Sequence, residues 1–401
     1  MPKLTPYMLE RLQARTLRGE RRSLKVSSDC ADFASSDYLG YARSKLLKER
    51  ILSAAASLPC IGSTGSRLLT GNSPLAEETE ERVARCFGFP RALIFSSGFA
   101  LNTGFLPAIA GEKDTFLLDE NIHASLKTGL KLSKAAGYFF RHNDLNHLER
   151  RLKRLSSSPG NLFVVVESLY SMDGDITPLK AMADLCEPFG ARLVVDEAHA
   201  AATIGQGHGL VAEYNLQDRV FASIVTFGKA FGCHGAALLG QTDLMDFVVN
   251  FCHSFVYTTA PSSFFFLAIR EALSLFSEDR GEFSLLKKNI SMMNQCLHEK
   301  AQDGCLMSPI RSIPFPAKEL RTVVLKLQEK GFEALPIFSP TVKRGTERLR
   351  VCIHAFNAED EIRQFANLIK EIQTDASSAL HYRNSHGGGE NHFRSMHCQI
   401  T

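Results

Sequence analysis

Tryptophan is absent from the 401 residues, so the 28 phenylalanines and 8 tyrosines must supply the aromatic part of any core. A dominant charge is missing too. Lys and Arg number 46 against 43 Asp and Glu, a formal surplus of +3. So small a surplus gives no electrostatic reason to expect a nucleic-acid partner. No apolar run reaches the ~20 residues that a membrane span needs, so no membrane partner is expected. The opening segment, MPKLTPYMLERLQARTLRGERR, lacks the apolar stretch of a secretory signal. It is basic and amphipathic, as a transit peptide is, but the acids Glu10 and Glu20 count against that reading. No CxxC pair occurs among the ten scattered cysteines, which argues against zinc ribbons and thioredoxin-like sites. Cysteines inside apolar runs, such as Cys352 between Val351 and Ile353, read as buried free thiols of a reducing cytoplasm. What remains is an ordinary globular composition, 44% apolar and 22% charged, in a chain long enough for a large domain and a smaller companion.

Residues 1–40 read as an N-terminal arm, with a basic helix near its start. The run GSTGSRLLTGN (62–72) is a loop by composition. Ser73-Pro74 then predicts a helix start, Leu75, Thr79, Val83 and Phe87 an inner stripe, and Gly88 the stop. The runs ALIF (92–95), LFVVV (162–166), RLVV (192–195) and ASIV (222–225) are continuous apolar stretches with helical segments among them, notably 178–189. Unalternating strands separated by helices predict an α/β fold, a mostly parallel sheet covered on both faces. The large domain is expected over 41–255 and a smaller α+β domain over 256–376. A tail over 377–401, rich in Gly and His, is expected to be disordered. Its His386, His392 and His397 read as solvated rather than as metal ligands, and no metal site is expected.

Ligands of such sheets bind beyond the carboxyl ends of the strands. That rule points to Glu167-Ser168, Asp196-Glu197 and Thr226-Phe227-Gly228-Lys229. Asp196 directly follows LVV, and a carboxylate there is costly without a positive partner, such as a protonated heteroaromatic nitrogen. Taken alone it is equally well the cap of the next helix. Lys229 lies between Gly228 and Gly232, small residues that let a planar ligand approach the backbone. A desolvated lysine becomes nucleophilic and forms Schiff bases; otherwise it is a surface residue. In FSSGFALN (95–102), the Gly98 and Phe99 amides at a helix start can cradle a phosphate, and Thr226 can offer a hydroxyl. No GK[ST] follows, so an NTPase loop is disfavoured. Asp196, His199, Thr226 and Lys229 together fit pyridoxal 5'-phosphate, which needs an amine, a carboxylate and a phosphate cup.

Further along the chain, DFASSDYLG (32–40), GSTGSRLLTGNSPL (62–75), ALIFSSGFALN (92–102), HASL (123–126), VVESLYSMDGDITPL (165–179), VVDEAHA (194–200), TFGKAFG (226–232), FVYTTA (255–260) and PTVKRGTERLR (340–350) occur in one order. In these blocks the sequence resembles the α-oxoamine synthases, fold-type I pyridoxal-phosphate enzymes. The resemblance implies that Lys229 carries the cofactor as a Schiff base. It implies that Asp196 pairs with the ring nitrogen, His199 bonds the phenolic oxygen with Ser171 nearby, and His123 stacks on the ring. Gly98, Phe99 and Thr226 would hold the phosphate, with Thr258 or Thr259 reaching it from the second subunit of a homodimer. Arg350 would bind the amino-acid carboxylate. Thr341 and an N-terminal arginine, Arg22, would contact the acyl substrate. Outside this context His123 reads as a capping or core histidine.

The implied reaction is decarboxylative condensation of L-alanine with a pimeloyl thioester, carried by CoA or a carrier protein, as in the biotin-forming branch. GSTGSRLLTGN and SMDGDITPL favour that branch. The aminoketobutyrate, aminolevulinate and serine-palmitoyl branches stay open, as does a non-catalytic pyridoxal-phosphate sensor. Departures from the family's wording are PSSF (261–264) in place of a double proline, Cys233-His234 in place of small residues, and Ala201-Ala202 where Thr-Gly is common.

Overall fold

Strands Arg91–Phe95, Ala236–Gly240, Ala222–Thr226, Arg192–Asp196, Leu162–Glu167, Thr115–Asp119 and Ala136–Phe140 lie side by side in that order. They belong to a computed structural model that describes residues 4–18, 20–24, 26, 29–157, 159–278, 281–297, 307–339 and 341–386. Every pairing is parallel except the two made by Ala236–Gly240. The inner strands are buried along almost their whole length. Two apolar clusters flank the sheet, one including Val83, Phe87 and Leu179, the other Leu101, Phe105 and Leu126. The mostly parallel, two-sided sheet is therefore as the apolar runs predict. The antiparallel strand was not anticipated. A parallel neighbour needs a helical crossover, but residues 227–235 return in a short loop, which only an antiparallel strand allows.

The helix Pro74–Phe87 follows its sequence signals. Ser73 Oγ accepts from Ala76 N at 3.2 Å, and Gly88, at φ 73°, lets Phe89 N reach Ala84 O. Its inner face is Ala76, Thr79, Glu80, Val83 and Phe87, with Leu75 only half-buried. Glu80 is inside because it meets Arg67 of the glycine-rich loop through two bonds, at 2.8 and 2.9 Å, and also accepts from Ile94 N.

A second sheet, Leu335–Ile337, Arg348–Cys352 and Ile310–Pro314, is antiparallel throughout. Residues 31–39, assigned by sequence to the arm, pack onto this smaller unit. Ala31–Asp32 pairs with Phe332–Glu333, and Phe33 stacks on Phe365 with ring centroids 4.3 Å apart. Cys352 N donates to Phe33 O and Ala355 N to Tyr38 O, both at 2.8 Å. The helix Ser263–Ser277, expected in the small domain, instead bonds to the large one, with Arg82 Nη1 donating to Ser274 Oγ. The arm helix is Pro6–Leu17, capped by Thr5. The last helix runs Glu359–His386, past residue 377, where the tail was expected to begin. No Gly or Pro interrupts it until Gly387, so nothing in the backbone stops it earlier. Residues 387–401, with His392 and His397, lie outside the described residues. Among the described residues, no helix is long and apolar enough to cross a membrane.

Glu80→Gln should test the buried pair. It leaves the Arg67 charge uncompensated, which costs about 3 kcal/mol in urea unfolding. A loss under about 1 kcal/mol, the range of a surface pair, would show that water screens it.

Candidate active site

Three neighbouring parallel strands end on polar residues at one edge of the sheet, in Glu167, Asp196 and Thr226. Glu167 is in register with Asp196. Lys229 follows Thr226 by three residues in a loop closed by Gly232 N to Lys229 O (2.8 Å) and Cys233 N to Phe227 O (2.8 Å). Gly232 has φ 63°, and a Cβ there would lie 2.1 Å from Ala42 N. The lysine loop thus packs backbone to backbone on residues 41–42, which only glycine permits.

A cavity of about 340 Å³ opens over these strand ends. Of the residues singled out in the sequence, Gly98, Phe99, His123, Asp196, His199, Thr226 and Lys229 all line it. A larger cavity, about 730 Å³, lies around Arg192, Phe221 and Gln241 at the opposite ends of the strands. Its lining contains no lysine or histidine, so the smaller cavity is the one equipped for chemistry.

Asp196 Oδ1 accepts from Ala198 N at 3.0 Å and Oδ2 from Asn102 Nδ2 at 3.1 Å. Asn102 Nδ2 also donates to Ser125 Oγ (2.9 Å), which meets His123 Nδ1 at 2.8 Å. His123 Nδ1 accepts from Ser125 N as well, so it caps the helix Ala124–Leu132 while lining the cavity. The capping reading of His123 is therefore met, and the same ring lies in the cavity wall. His199 Nδ1 meets Tyr38 Oη at 2.8 Å, and Tyr38 Oη in turn accepts from Arg350 Nη2 at 3.4 Å. The hydroxyl thus links the imidazole to the Arg350 guanidinium, with Nε2 as the ring nitrogen away from Tyr38. Burial first, then the positive neighbours Lys229 and Arg350, hold His199 well below the usual histidine range. Burial likewise lowers His123, against the pull of Asp196. Burial, joined by Asp196, pushes Glu167 up to about 8. Burial pulls Lys229 down to about 8, against the attraction of Asp196 and Glu167.

At the start of the helix Gly98–Ile109, Ser97 Oγ accepts from Ala100 N and Ser97 O from Leu101 N. The first-turn amides of Gly98 and Phe99 lie ahead of the helical ladder, beside the cavity. A Cβ on Gly98 would sit 3.0 Å from Thr226 Cγ2, so glycine allows the helix end to approach the strand. Thr226 Oγ1 donates to Ala198 O at 3.2 Å. A half-buried amine, a buried carboxylate, a neutral imidazole and free helix-terminal amides together fit pyridoxal phosphate.

Other predicted residues lie apart. Arg350 is not in the cavity wall but joins it through Tyr38, and its Nε donates to the Ser171 carbonyl at 2.6 Å. Ser171 is placed by that carbonyl rather than in the cavity wall. Thr258, Thr259, Thr341 and Arg22 are exposed and outside the lining, so one chain alone does not bring them to the cavity. Sequence reasoning assigned no role to Asn102, Ser125, Glu167 or Tyr38. The signal for Asn102 was a polar residue four positions after Gly98 in an apolar helix, on the same face. Ala202 is buried at φ 61°, a left-handed conformation in which glycine would be unstrained.

The fold and this site define a fold-type I pyridoxal-phosphate enzyme, and the chain belongs to the aminotransferase class I and II family, whose model matches residues 28–369. Within that family it is an α-oxoamine synthase homologue, of the acyltransferase type. It is 35% identical to an 8-amino-7-oxononanoate synthase of Emericella nidulans, over 90% of this chain and 93% of that one. It is also 35% identical to a putative 8-amino-7-oxononanoate synthase of Halalkalibacterium halodurans, over 86% and 90% of the two chains. The crystal structure of 8-amino-7-oxononanoate synthase from Francisella tularensis superposes with a TM-score of 0.74 at 26% identity, covering 87% of this chain and all of that one, 100%. A serine palmitoyltransferase of Sphingomonas wittichii shares the fold, with a TM-score of 0.83 at 24% identity over 93% and 98% of the chains.

The lowered amine of Lys229 gives a pH prediction. The neutral, nucleophilic form gains as pH rises through about 8. Cofactor capture by the apoprotein should therefore accelerate up to pH ~8 and then level off, whereas an unperturbed lysine would keep gaining to ~10.4. Stopped-flow absorbance checks this, and a rate still climbing tenfold per unit at pH 9.5 contradicts it.

Proposed function

We propose that this protein condenses L-alanine with a pimeloyl thioester to give 8-amino-7-oxononanoate, carbon dioxide and the free thiol, in biotin synthesis in the cytoplasm. The observation that carries this reading is the desolvated, half-buried Lys229 beside Asp196 in the cavity, in a chain whose relatives at 35% identity bear that enzyme's name. Lys229 tethers the cofactor, and as a neutral amine it is suited to take the α-proton of the amino acid. Asp196 holds a proton on the ring nitrogen, its other contacts to Asn102 and Ala198 fixing the carboxylate. His199, neutral and set by Tyr38, would serve the phenolic oxygen through Nε2. His123 would face the ring, and Gly98, Phe99 and Thr226 would hold the phosphate. When bound, pyridoxal phosphate supplies an electron sink for the charge left by the departing proton. Arg350 fixes the alanine carboxylate, and Ser171 aims Arg350 through its carbonyl. Thr258 or Thr259 serves the phosphate of a second subunit, and Thr341 and Arg22 meet the acyl chain. The exposure of these four residues is compatible with a homodimer in which partner and substrate cover them.

Choice between alanine and glycine rests on one methyl group, worth only ~1–3 kcal/mol. Slow turnover of glycine is therefore expected. A thiol-release assay over alanine, glycine and serine with pimeloyl, acetyl and palmitoyl thioesters tests the assignment. The highest kcat/KM should fall on alanine with the pimeloyl thioester. A preference for serine with the long acyl chain would move the protein to another branch. Lys229→Ala should abolish turnover and borohydride-trapped cofactor mass, and trapping at another lysine would contradict the tether.

The dimer has its own check. Mixed Lys229→Ala and Thr258→Ala/Thr259→Ala subunits should regain part of the activity if the site is shared. A monomer active at assay concentration in sedimentation would remove the second subunit from the mechanism.

A further inference from the structure

Residues 169–176 form a tight strap between the two units of the fold. Leu169 bridges to Ile176, Gly174 N donates to Tyr170 O at 2.9 Å, and Tyr170 N to Asp175 O at 3.0 Å. One side of the strap meets the small sheet. Ser171 O accepts from Arg350 Nε, Asp173 pairs with Arg348, and a Cβ on Gly174 would lie 2.4 Å from Ile310 O. The other side is held by an imidazole together with its neighbour Asn143. His142 Nε2 bonds Asp175 Oδ2 at 2.6 Å, and His142 Nδ1 bonds Asp119 Oδ1 at 2.9 Å.

Both ring nitrogens face carboxylates, which requires both to carry hydrogen, so the ring is a cation. Burial opposes that charge, but the bonds to Asp119 and Asp175 overcome it and raise His142 to about 10. Asp119 is fully buried at a strand end, and its Oδ2 also takes Asn143 N at 2.9 Å. Asn143 Nδ2 gives Asp175 Oδ2 a second bond at 2.8 Å. Tyr170 of the strap sets its ring edge against the imidazole, with centroids 4.4 Å apart. Lys127, from the helix Ala124–Leu132, lies near Asp119 and Glu167, its Nζ donating to Glu120 O. Two carboxylates thus meet one cation, and removing it would leave like charges facing each other across a half-dry contact.

We propose that His142 is a positioning residue for the amino-acid carboxylate: by clamping Asp175 to Asp119 it fixes the strap, and through the Ser171 carbonyl it fixes the guanidinium of Arg350. This rests on the reading of Arg350 as the carboxylate site. Arg350 has one strong orienting bond outside Tyr38, and the strap supplies it. A strap free to shift would leave the arginine in place as a charge but would blur the fork that a carboxylate needs. The clamp should therefore govern amino-acid binding and leave the acyl thioester and the cofactor alone.

The holoenzyme tests this with His142→Gln, which removes the charge and one of the two bridging donors. The dissociation constant of L-alanine, from titration of the cofactor absorbance, should rise at least tenfold. The KM of the acyl thioester and the cofactor dissociation constant should stay within twofold. His142→Lys, which restores a cation within reach of both carboxylates, should recover part of the loss. The double variant with Arg350→Lys should lose less than the product of the two single losses, because both act on one group. Alanine binding within twofold of wild type, fully multiplying losses, or a loss of cofactor affinity in place of alanine affinity would each overturn the clamp. The last outcome would mean that His142 acts through Asp119 on the turn to His123. If His142→Gln fails to fold, Asp175→Asn, which keeps the shape, decides by the same readings. Arg350→Lys alone separates the two ideas. If it leaves alanine binding unchanged, the carboxylate site is elsewhere. If it weakens binding while His142→Gln does not, only the clamp falls.

Discussion

A desolvated amine beside two carboxylates at the strand ends of a parallel sheet is the constraint from which the rest of this structure follows. Charges taken out of water are tolerated only when each is paired or made neutral. Lys229, Asp196 and Glu167 meet that condition collectively: the amine is shifted toward neutrality, and Glu167 is pushed toward its protonated form. Such poise needs rigid walls. The strand register sets Glu167 against Asp196, and the helix Gly98–Ile109 brings Asn102 to the same carboxylate. The close packing of Gly232 on Ala42 then holds the lysine loop at one depth.

Around that centre the histidines divide by charge. His199 is kept neutral by burial, with positive neighbours assisting, and partial desolvation shifts the more exposed His123 the same way. His142, a short way behind them, is kept charged by two aspartates. Neutral rings can meet a flat, partly charged ligand without repelling it or stealing its protons. A charged ring is a mechanical part, since its two strong bonds tie separate strands and a loop together. One residue type thus serves opposite ends in the same neighbourhood, and the difference lies in whether carboxylates can reach both nitrogens.

Much of this was legible in the sequence, and the reasons are local. Continuous Val and Ile runs admit only buried strands, so the parallel sheet and the polar strand ends Asp196 and Thr226 could be read directly. Ser73, Pro74 and Gly88 fix a helix through their own backbone chemistry. What could not be read depends on partners far along the chain. Tyr38 is an ordinary core tyrosine until His199 is found 161 positions away. Glu80 reads as a solvent-facing helix residue until Arg67 covers it. The strand Ala236–Gly240 has the composition of a helix as much as of a strand, and only the short return loop decides its direction. Arg22, Thr258, Thr259 and Thr341 were named from resemblance alone, and no contact within one chain draws them to the cavity.

The pairing of residues 31–39 with the small sheet has a consequence for biosynthesis. Ala31 finds its partner at Phe332, and Phe33 its partner at Phe365. A chain emerging from the ribosome can complete the large sheet and its lysine loop while more than a hundred residues remain to be made. Until the last strands and helix arrive, Tyr38 lacks the bond from Ala355 N and the contact with Arg350. Synthesis order therefore places the contacts that complete the Tyr38 segment after those of the large sheet. A chain ending before residue 350 would carry the lysine loop without Arg350 and without the Ala355 bond to Tyr38.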